Sequence, residues 1–175
     1  GLPERFILSV GTIEERKNLL LAVKAVEKLD DVHLVAIGKS TDYAKKVQDY
    51  VEAHGLENRV HIIHNLKFGD LPILYHLASL FVYPSRFEGF GIPILEALNS
   101  RVPVITTRGG VFPETGGDAC IYVEPESTDE MLHALETVLG DRAAADGMRA
   151  RGAAYARNFL GNLERPDVDK ITGLS

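Results

Sequence analysis

Short apolar runs alternate with longer amphipathic segments along most of the chain. Each run is apolar at successive positions, which is typical of strands that are buried on both faces of a parallel sheet. Strands of this kind are joined by helices that cover the two faces. We predict strands over Arg5–Val10, Val32–Gly38, Val60–Ile63, Leu80–Pro84, Val102–Thr107 and Cys120–Pro125.

The segments between the runs carry apolar residues at helical spacing. In the first of them, Leu20, Val23 and Val26 fall on one helical face, and Asn18 is the predicted N-cap. Gly55 is the predicted end of the second, because glycine favours the conformation that terminates a helix. We predict helices over Asn18–Leu29, Asp42–Gly55, Leu71–Ala78, Gly91–Ser100 and Thr128–Gly140.

This order predicts an α/β domain with a central parallel sheet of about six strands. A chain of 175 residues is long enough to bury a core of its own and fits one domain. The segment Asp141–Phe159 is rich in alanine and predicts a closing helix. Residues 160–175 show little apolar periodicity, so we expect one domain over residues 1–159, followed by an irregular tail.

Composition excludes several classes of protein. The net charge of −6 argues against binding to nucleic acid, since such proteins carry a basic face. The single Cys120 rules out an internal disulfide and a cysteine-rich metal site. No apolar run is as long as a membrane span, and the first ten residues do not resemble a signal peptide. The six histidines show no metal-ligand spacing, so we expect no metal site.

The loop after the first predicted strand, Gly11–Lys17, places two cations where a helix begins. Arg16 and Lys17 have the wrong sign for that position, because the helix dipole favours acids at an N-terminus. A bound anion would make this placement favourable, because the two cations would then neutralise its charge. Alternatively, Glu14 and Glu15 neutralise the two cations on a solvated corner, and the loop alone does not decide between these readings. The loop lacks the G-x-G-x-x-G pattern of dinucleotide-binding dehydrogenases.

The loop after the fourth predicted strand reads SRFEGFGIP and precedes another helix. Pro93 suits the first helical turn, which leaves the amides of Phe90, Gly91 and Ile92 unpaired and able to bind an anion. Glu88 lies in the loop itself, and carboxylates accept hydrogen bonds from sugar hydroxyls.

A second glutamate, Glu96, lies inside the helix, eight residues after Glu88. Amides for an anion and acids for hydroxyls together suit a sugar nucleotide. The alternative is a tight structural corner in which Glu96 pairs with a basic neighbour such as Arg101 or Arg108.

Four segments together resemble the C-terminal domain of the family 4 (group 1) retaining glycosyltransferases, which have GT-B architecture. These are SVGTIEERKNL, LFVYPSRFEGFGIPILEAL, VPVITT and FPETGGDACIYVEP, and the likeness extends from Arg5 to Leu139. The resemblance implies a Rossmann-like three-layer domain that forms the C-terminal half of a GT-B fold. It also implies an enzyme that transfers a sugar from a nucleotide-diphosphate sugar to a saccharide or lipid-linked acceptor.

The same resemblance implies roles for individual residues. Arg16 and Lys17 match the pair that neutralises the donor diphosphate, and Glu88 matches the catalytic acid that contacts the donor sugar. Glu96 matches the acid that holds the ribose, and the base is expected near Asn65–Lys67. The remaining implied donor-binding residues are Gly11, Phe90, Gly91 and Ile92.

The resemblance also implies that no metal or other cofactor is needed and that the nucleotide-diphosphate sugar is a substrate. The family's N-terminal domain, which holds the acceptor, is absent from this chain, so the isolated chain is expected to be inactive. A non-catalytic module that binds a sugar nucleotide or carbohydrate is the alternative. The full-length protein is expected in the cytoplasm, including at the inner face of the membrane. Two positions depart from the family pattern: Thr12, and the segment after Phe159.

Overall fold

The structure is a computed structural model that describes residues 1–108 and 112–163. Within these residues six strands form one sheet in which every pair of neighbours is parallel, in the order β3-β2-β1-β4-β5-β6. This is the strand order of the Rossmann fold, and it confirms the predicted α/β class. The strands are β1 (Phe6–Val10), β2 (His33–Ile37), β3 (Val60–Ile63), β4 (Leu80–Tyr83), β5 (Val104–Thr107) and β6 (Ile121–Val123).

Helices follow the strands and cover both faces of the sheet. They are α1 (Leu19–Glu27), α2 (Asp42–Ala53), α3 (Leu71–Leu77), α4 (Ile92–Asn99), α5 (Phe112–Gly116), α6 (Thr128–Gly140) and α7 (Arg142–Leu163). Short 3-10 turns lie at Glu15–Lys17, Phe68–Asp70 and Gly117–Ala119. Helix α5 was not predicted, because it is short and shows no periodic pattern. Among residues 1–108 and 112–163, no helix is long and apolar enough to cross a membrane.

Strand β1 shows how one strand supplies two cores. Ile7 packs on one face with residues of α1, α2 and α6. Phe6 and Leu8 point to the other face, where α3 and α4 cover the sheet. Side chains of successive strand residues point in opposite directions, so an uninterrupted apolar run fills both layers.

Helix α7 continues past the predicted end at Phe159, as far as Leu163. The start of the predicted irregular tail is therefore helical, and residues 164–175 lie outside the described residues. The glycines that weaken the helical pattern include Gly152, where a Cβ atom would lie 2.9 Å from the Leu98 Cδ2 atom. Gly152 thus allows α7 to pack closely on α4, and this contact offsets its low helix propensity.

Candidate active site

The site lies at the carboxyl ends of β1 and β4, where the strand order reverses. Helix α1 follows β1 and packs on one face of the sheet, whereas α4 follows β4 and packs on the other. The two chain segments therefore diverge and leave a crevice between them, which is where open α/β sheets bind ligands.

Backbone contacts hold the loop after β1 against the end of β2. The Gly11 amide donates to the Ile37 carbonyl, and the Ile13 amide donates to the Lys39 carbonyl. At Gly38 a Cβ atom would lie 1.8 Å from the Gly11 carbonyl oxygen, so only glycine fits this position. The sequence alone does not indicate a role for Gly38, since a glycine that ends a strand is common.

Asn18 joins three loops of the site. It occupies the N-cap position of α1 in the left-handed conformation (φ 59°), but its side chain does not cap the helix as predicted. Its Nδ2 atom instead donates to the carbonyls of Pro84 (3.1 Å) and Pro125 (2.8 Å), which follow β4 and β6. Its Oδ1 atom accepts from Arg86 at 3.2 Å. This buried amide therefore fixes the distance between the loops.

Lys17 and Glu88 meet across the crevice. The Lys17 Nζ atom is hydrogen-bonded to the Glu88 Oε1 atom, and Arg16 Nη1 lies 3.4 Å from the same oxygen. Lys17 also donates to the Tyr83 hydroxyl at 3.3 Å, and the Ser85 hydroxyl donates to Glu88 at 3.3 Å. The side chains of Lys17 and Glu88 are only 17% and 13% exposed, so solvent screens this pair weakly.

The surroundings of Glu88 keep it charged. Burial raises the pKa of its carboxyl group, but the hydrogen bond and charge of Lys17, the Tyr83 hydroxyl and the charge of Arg16 together lower that pKa below its ordinary value. Burial, followed by the Glu88 charge, raises the pKa of the Tyr83 hydroxyl above its ordinary range. At neutral pH the site therefore contains an ionised carboxylate beside a neutral tyrosine.

Arg16 is held mainly by Glu14, as the alternative reading of this loop expected. Its Nε and Nη2 atoms donate to Glu14 Oε1 at 3.1 and 2.8 Å, and its Nη1 atom donates to the Phe87 carbonyl at 3.2 Å. Its guanidinium also lies over the Phe87 ring, 5.4 Å from the centroid. Glu15 forms no ion pair with either cation within the described part of the chain. Local neutralisation therefore accounts for Arg16 but not for Lys17, whose partner is Glu88.

The start of α4 presents backbone amides to the crevice. Gly91 precedes the helix in the left-handed conformation (φ 78°), and Pro93 lies in the first turn. Across residues 1–108 and 112–163, no acceptor is seen for the amides of Phe90, Gly91 and Ile92. The Phe90 carbonyl accepts a hydrogen bond from the Thr115 hydroxyl, which connects this turn to α5.

Glu96 lies further along α4, beside a cavity of about 280 Å³. Its Oε2 atom accepts a hydrogen bond from the Tyr75 hydroxyl at 2.9 Å. The alternative pairing with Arg101 or Arg108 is not present among the described residues, and Arg108 is bound to Glu124 and Glu130 instead. The cavity is lined by Leu71, Pro72, Tyr75, Glu96, Asn99 and Ser100.

The structure brings most of the predicted residues to one edge of the sheet. Gly11 lies against the Lys17 side chain, since a Cβ atom there would be 3.7 Å from the Lys17 Cδ atom. The segment Asn65–Lys67 follows β3, which β2 and β1 separate from β4. It therefore lies at the far end of the same edge. In the described residues, no cluster of three histidine, cysteine, aspartate or glutamate side chains could hold a metal ion.

Comparison with known proteins gives consistent matches. The family model "Glycosyl transferases group 1" matches residues 2–159. The O-antigen chain mannosyltransferase RfbU of Salmonella typhimurium is 35% identical over 136 residues, which are 77% of this chain and 38% of that protein. The C-terminal domain of LpcC, a glycosyl transferase group 1 protein from Francisella tularensis, has a TM-score of 0.80 at 27% identity, over 88% of this chain and 85% of that one. HepE from Anabaena, solved with UDP-glucose, has a TM-score of 0.85 at 20% identity, over 97% of this chain and 49% of that one.

Proposed function

The chain belongs to the group 1 glycosyl transferases, and we propose that it is the donor-binding domain of a retaining enzyme that uses a nucleotide-diphosphate sugar. The observation that carries this proposal is the meeting of Lys17, Arg16 and Glu88 beside the amides at the start of α4. Cations and free amides suit a diphosphate, and an adjacent carboxylate suits sugar hydroxyls. The chain spans 38% of the length of the mannosyltransferase it matches. In our proposal, the acceptor is held by a further domain of a longer protein.

Donor binding would exchange the partners of the central ion pair. The diphosphate would take the Nζ atom of Lys17 and the amides of Gly91 and Ile92. Hydroxyl groups of the donor sugar would then donate to the Glu88 carboxylate in place of Lys17. Both charged groups keep a partner in the complex, which avoids the cost of leaving one of them buried and unpaired.

The same contacts would promote bond breaking. When the bond from the anomeric carbon to the diphosphate oxygen breaks, its electron pair passes to the leaving diphosphate. Lys17, Arg16 and the α4 amides lie where this negative charge grows, and preorganised donors of this kind stabilise a transition state. Glu88 would balance the positive character that the sugar ring acquires. These protein cations take the role that a metal ion fills in other transferases, so the proposal requires no cofactor.

The nucleoside would extend from the diphosphate toward α3. Glu96 would accept hydrogen bonds from the ribose hydroxyls, and Asn65–Lys67 would lie beside the base. The mannosyltransferase relative supports a hexose donor and a saccharide acceptor. The UDP-glucose bound to HepE, which shares the fold, belongs to the same class of donor. We place the full-length protein in the cytoplasm, at the inner face of the membrane where the acceptor is lipid-linked.

A binding screen tests the proposal. Wild-type chain and Lys17→Ala are titrated by calorimetry with UDP-, GDP- and ADP-hexoses, and Lys45→Ala serves as the control because Lys45 pairs with Asp49 on the surface of α2. We expect one nucleotide sugar to bind the wild type and the control, and Lys17→Ala to bind it more weakly. Equal binding by all three proteins, or no binding of any nucleotide sugar by the full-length gene product, would refute the proposal.

A further inference from the structure

We propose that Tyr75 is a positioning residue that holds Glu96 in the orientation needed to recognise the ribose of the donor. This inference rests on the proposed function, because it assigns the ribose contact to Glu96. It adds a residue that touches no part of the donor itself.

The Tyr75 hydroxyl is the one polar group that the described residues offer to the Glu96 carboxylate. The hydroxyl donates to the Oε2 atom at 2.9 Å, and no partner of the Oε1 atom is seen in the described structure. A carboxylate accepts about four hydrogen bonds. Glu96 therefore keeps the capacity to accept from two adjacent ribose hydroxyls while it remains bound to Tyr75.

Packing in the core fixes the position of the Tyr75 ring. Tyr75 is 2% exposed, and its ring lies 5.3 Å from that of Phe81, which is fully buried in β4. Glu96 is an exposed residue of α4, and a free glutamate side chain samples many rotamers. A rigid donor at one oxygen restricts those rotamers and preorganises the other oxygen for the ligand.

The electrostatics of the pair support a role as a hydrogen-bond donor. Burial, followed by the charge and hydrogen bond of Glu96, raises the pKa of the Tyr75 hydroxyl far above its ordinary value. The hydroxyl therefore keeps its proton at neutral pH and can donate it to Glu96.

Tyr75 also connects the two glutamates of the site. Its hydroxyl lies close enough to Tyr83 for the two to interact electrostatically, and Tyr83 in turn contacts Lys17. The rings of Tyr75, Phe81 and Tyr83 form a continuous row, with centroid distances of 5.3 and 6.0 Å. Each end of this row presents a hydroxyl to one part of the proposed donor site. The row therefore fixes the spacing between the ribose contact and the diphosphate contact.

The test compares ribonucleotides with deoxyribonucleotides. Dissociation constants of UDP and GDP and of their 2′-deoxy forms are measured for the wild type, Glu96→Gln, Tyr75→Phe and Tyr43→Phe. We expect the wild type to prefer the ribonucleotide by about 10- to 100-fold, the usual effect of a hydrogen bond to a charged group. Tyr75→Phe should reduce this ratio about three- to tenfold. A loss of stability alone would not alter a ratio measured on folded protein.

Tyr43→Phe is the matched control, because the Tyr43 hydroxyl is also partly buried and accepts from the Leu20 amide on the opposite face of the sheet. It should keep the wild-type ratio. If Glu96→Gln abolishes the preference but Tyr75→Phe does not change it, the positioning role is refuted and the ribose contact stands. If the wild type binds nucleotides with no preference for ribose, the ribose role of Glu96 fails, and this inference fails with it.

Discussion

Lys17 and Glu88 are 71 positions apart in the chain, yet their charges meet in a part of the structure from which most water is excluded. Removing one partner of such a pair leaves the other buried and uncompensated, which costs more than the pair contributes. Arg16, Ser85 and Tyr83 remain near Glu88 when Lys17 is removed. The measured free-energy change of each substitution here therefore includes the cost of leaving the remaining partner without its counter-charge.

Lys17→Ala should weaken binding of the nucleoside diphosphate by about 1.5–3 kcal/mol, because it removes a hydrogen bond to a charged group. Calorimetric titration measures the change, with Lys45→Ala as the surface control. Arg16→Ala should have a smaller effect, since Glu14 already neutralises much of its charge. Unchanged affinity in both Lys17→Ala and Arg16→Ala would exclude this loop from the diphosphate site.

The two glutamates should differ in steady-state kinetics of the full-length gene product. Glu96→Gln should mainly raise KM, because the ribose contact is equal in the ground state and the transition state. Glu88→Gln should mainly lower kcat, because its contact strengthens as the sugar gains positive character. If Glu96→Gln lowers the melting temperature but binds donor normally, Glu96 is a structural partner of Tyr75 and not a ribose contact.

Glu88 should also contribute a pH-dependent part of the stability. Its pKa is lowered from the ordinary value of 4.5 in the folded state, so its contribution is present above that pH and is lost as the pH falls through the folded-state pKa. Urea unfolding of the wild type and Glu88→Gln between pH 7 and pH 3 measures this contribution. The difference in unfolding free energy should shrink toward acidic pH, and a constant difference would show that the ion pair does not stabilise the fold.

At the scale of elements, the site depends on hydrogen bonds between its loops and the ends of neighbouring strands. The loop after β1 is bound to the end of β2, and Asn18 connects it to the loops after β4 and β6. Of the proposed donor-binding residues, only Gly11 takes part in these contacts, and it does so through its backbone amide. The rigidity of the site is therefore a property of the sheet edge as a whole.

Gly38→Ala should destabilise the chain, because its Cβ atom would lie 1.8 Å from the Gly11 carbonyl oxygen and the loop would have to move. A loss of about 1–3 kcal/mol is typical of such overpacking. Gly140→Ala is the matched control, since a Cβ atom there meets nothing within 4 Å and alanine favours the helix. Chemical denaturation of both variants measures the effect. Equal stability of Gly38→Ala and the wild type would show that the loop adapts freely.

The elements that the sequence predicted correctly are those whose signal is local. Strands buried on both faces must be apolar throughout, so β1 to β6 are visible as runs. The conformation of Asn18 and the contact at Gly38 could not be predicted, because both depend on chain segments that come together only in the folded state. The same holds for Tyr75, which lies in a short apolar helix where nothing indicates that its hydroxyl faces Glu96. Helix α5 has too few residues to show a period.

At the scale of the whole molecule, we propose that the site forms one side of a cleft that a further domain completes. Phe87 and Ile92 stand at its rim and are 61% and 58% exposed. A further domain packed on this edge of the sheet would bury them. The core, by contrast, is complete on both faces of the sheet. The described residues therefore contain a complete core, whereas the acceptor side of the proposed reaction would come from a further domain.

The isolated 175-residue chain should unfold in one cooperative transition and show no glycosyl transfer. Its affinity for a nucleotide sugar should be lower than that of the full-length gene product, because the proposed further domain would add contacts to the donor. A circular dichroism melt and a transfer assay with a radiolabelled donor measure the two properties. Transfer by the purified chain would contradict the assignment of the acceptor site to a further domain.

The pairing of Lys17 with Glu88 has a consequence for competition inside a cell, where inorganic phosphate and free nucleotides are abundant. In the proposed complex, an anion that binds Lys17 competes with the Glu88 carboxylate for the same ammonium group, and a displaced carboxylate needs a new set of proton donors. Phosphate brings few such donors, whereas a nucleotide sugar brings several hydroxyls on the sugar that lies next to its diphosphate. If the proposed donor site is right, the ion pair would therefore disfavour ambient anions relative to a ligand that satisfies both charges together.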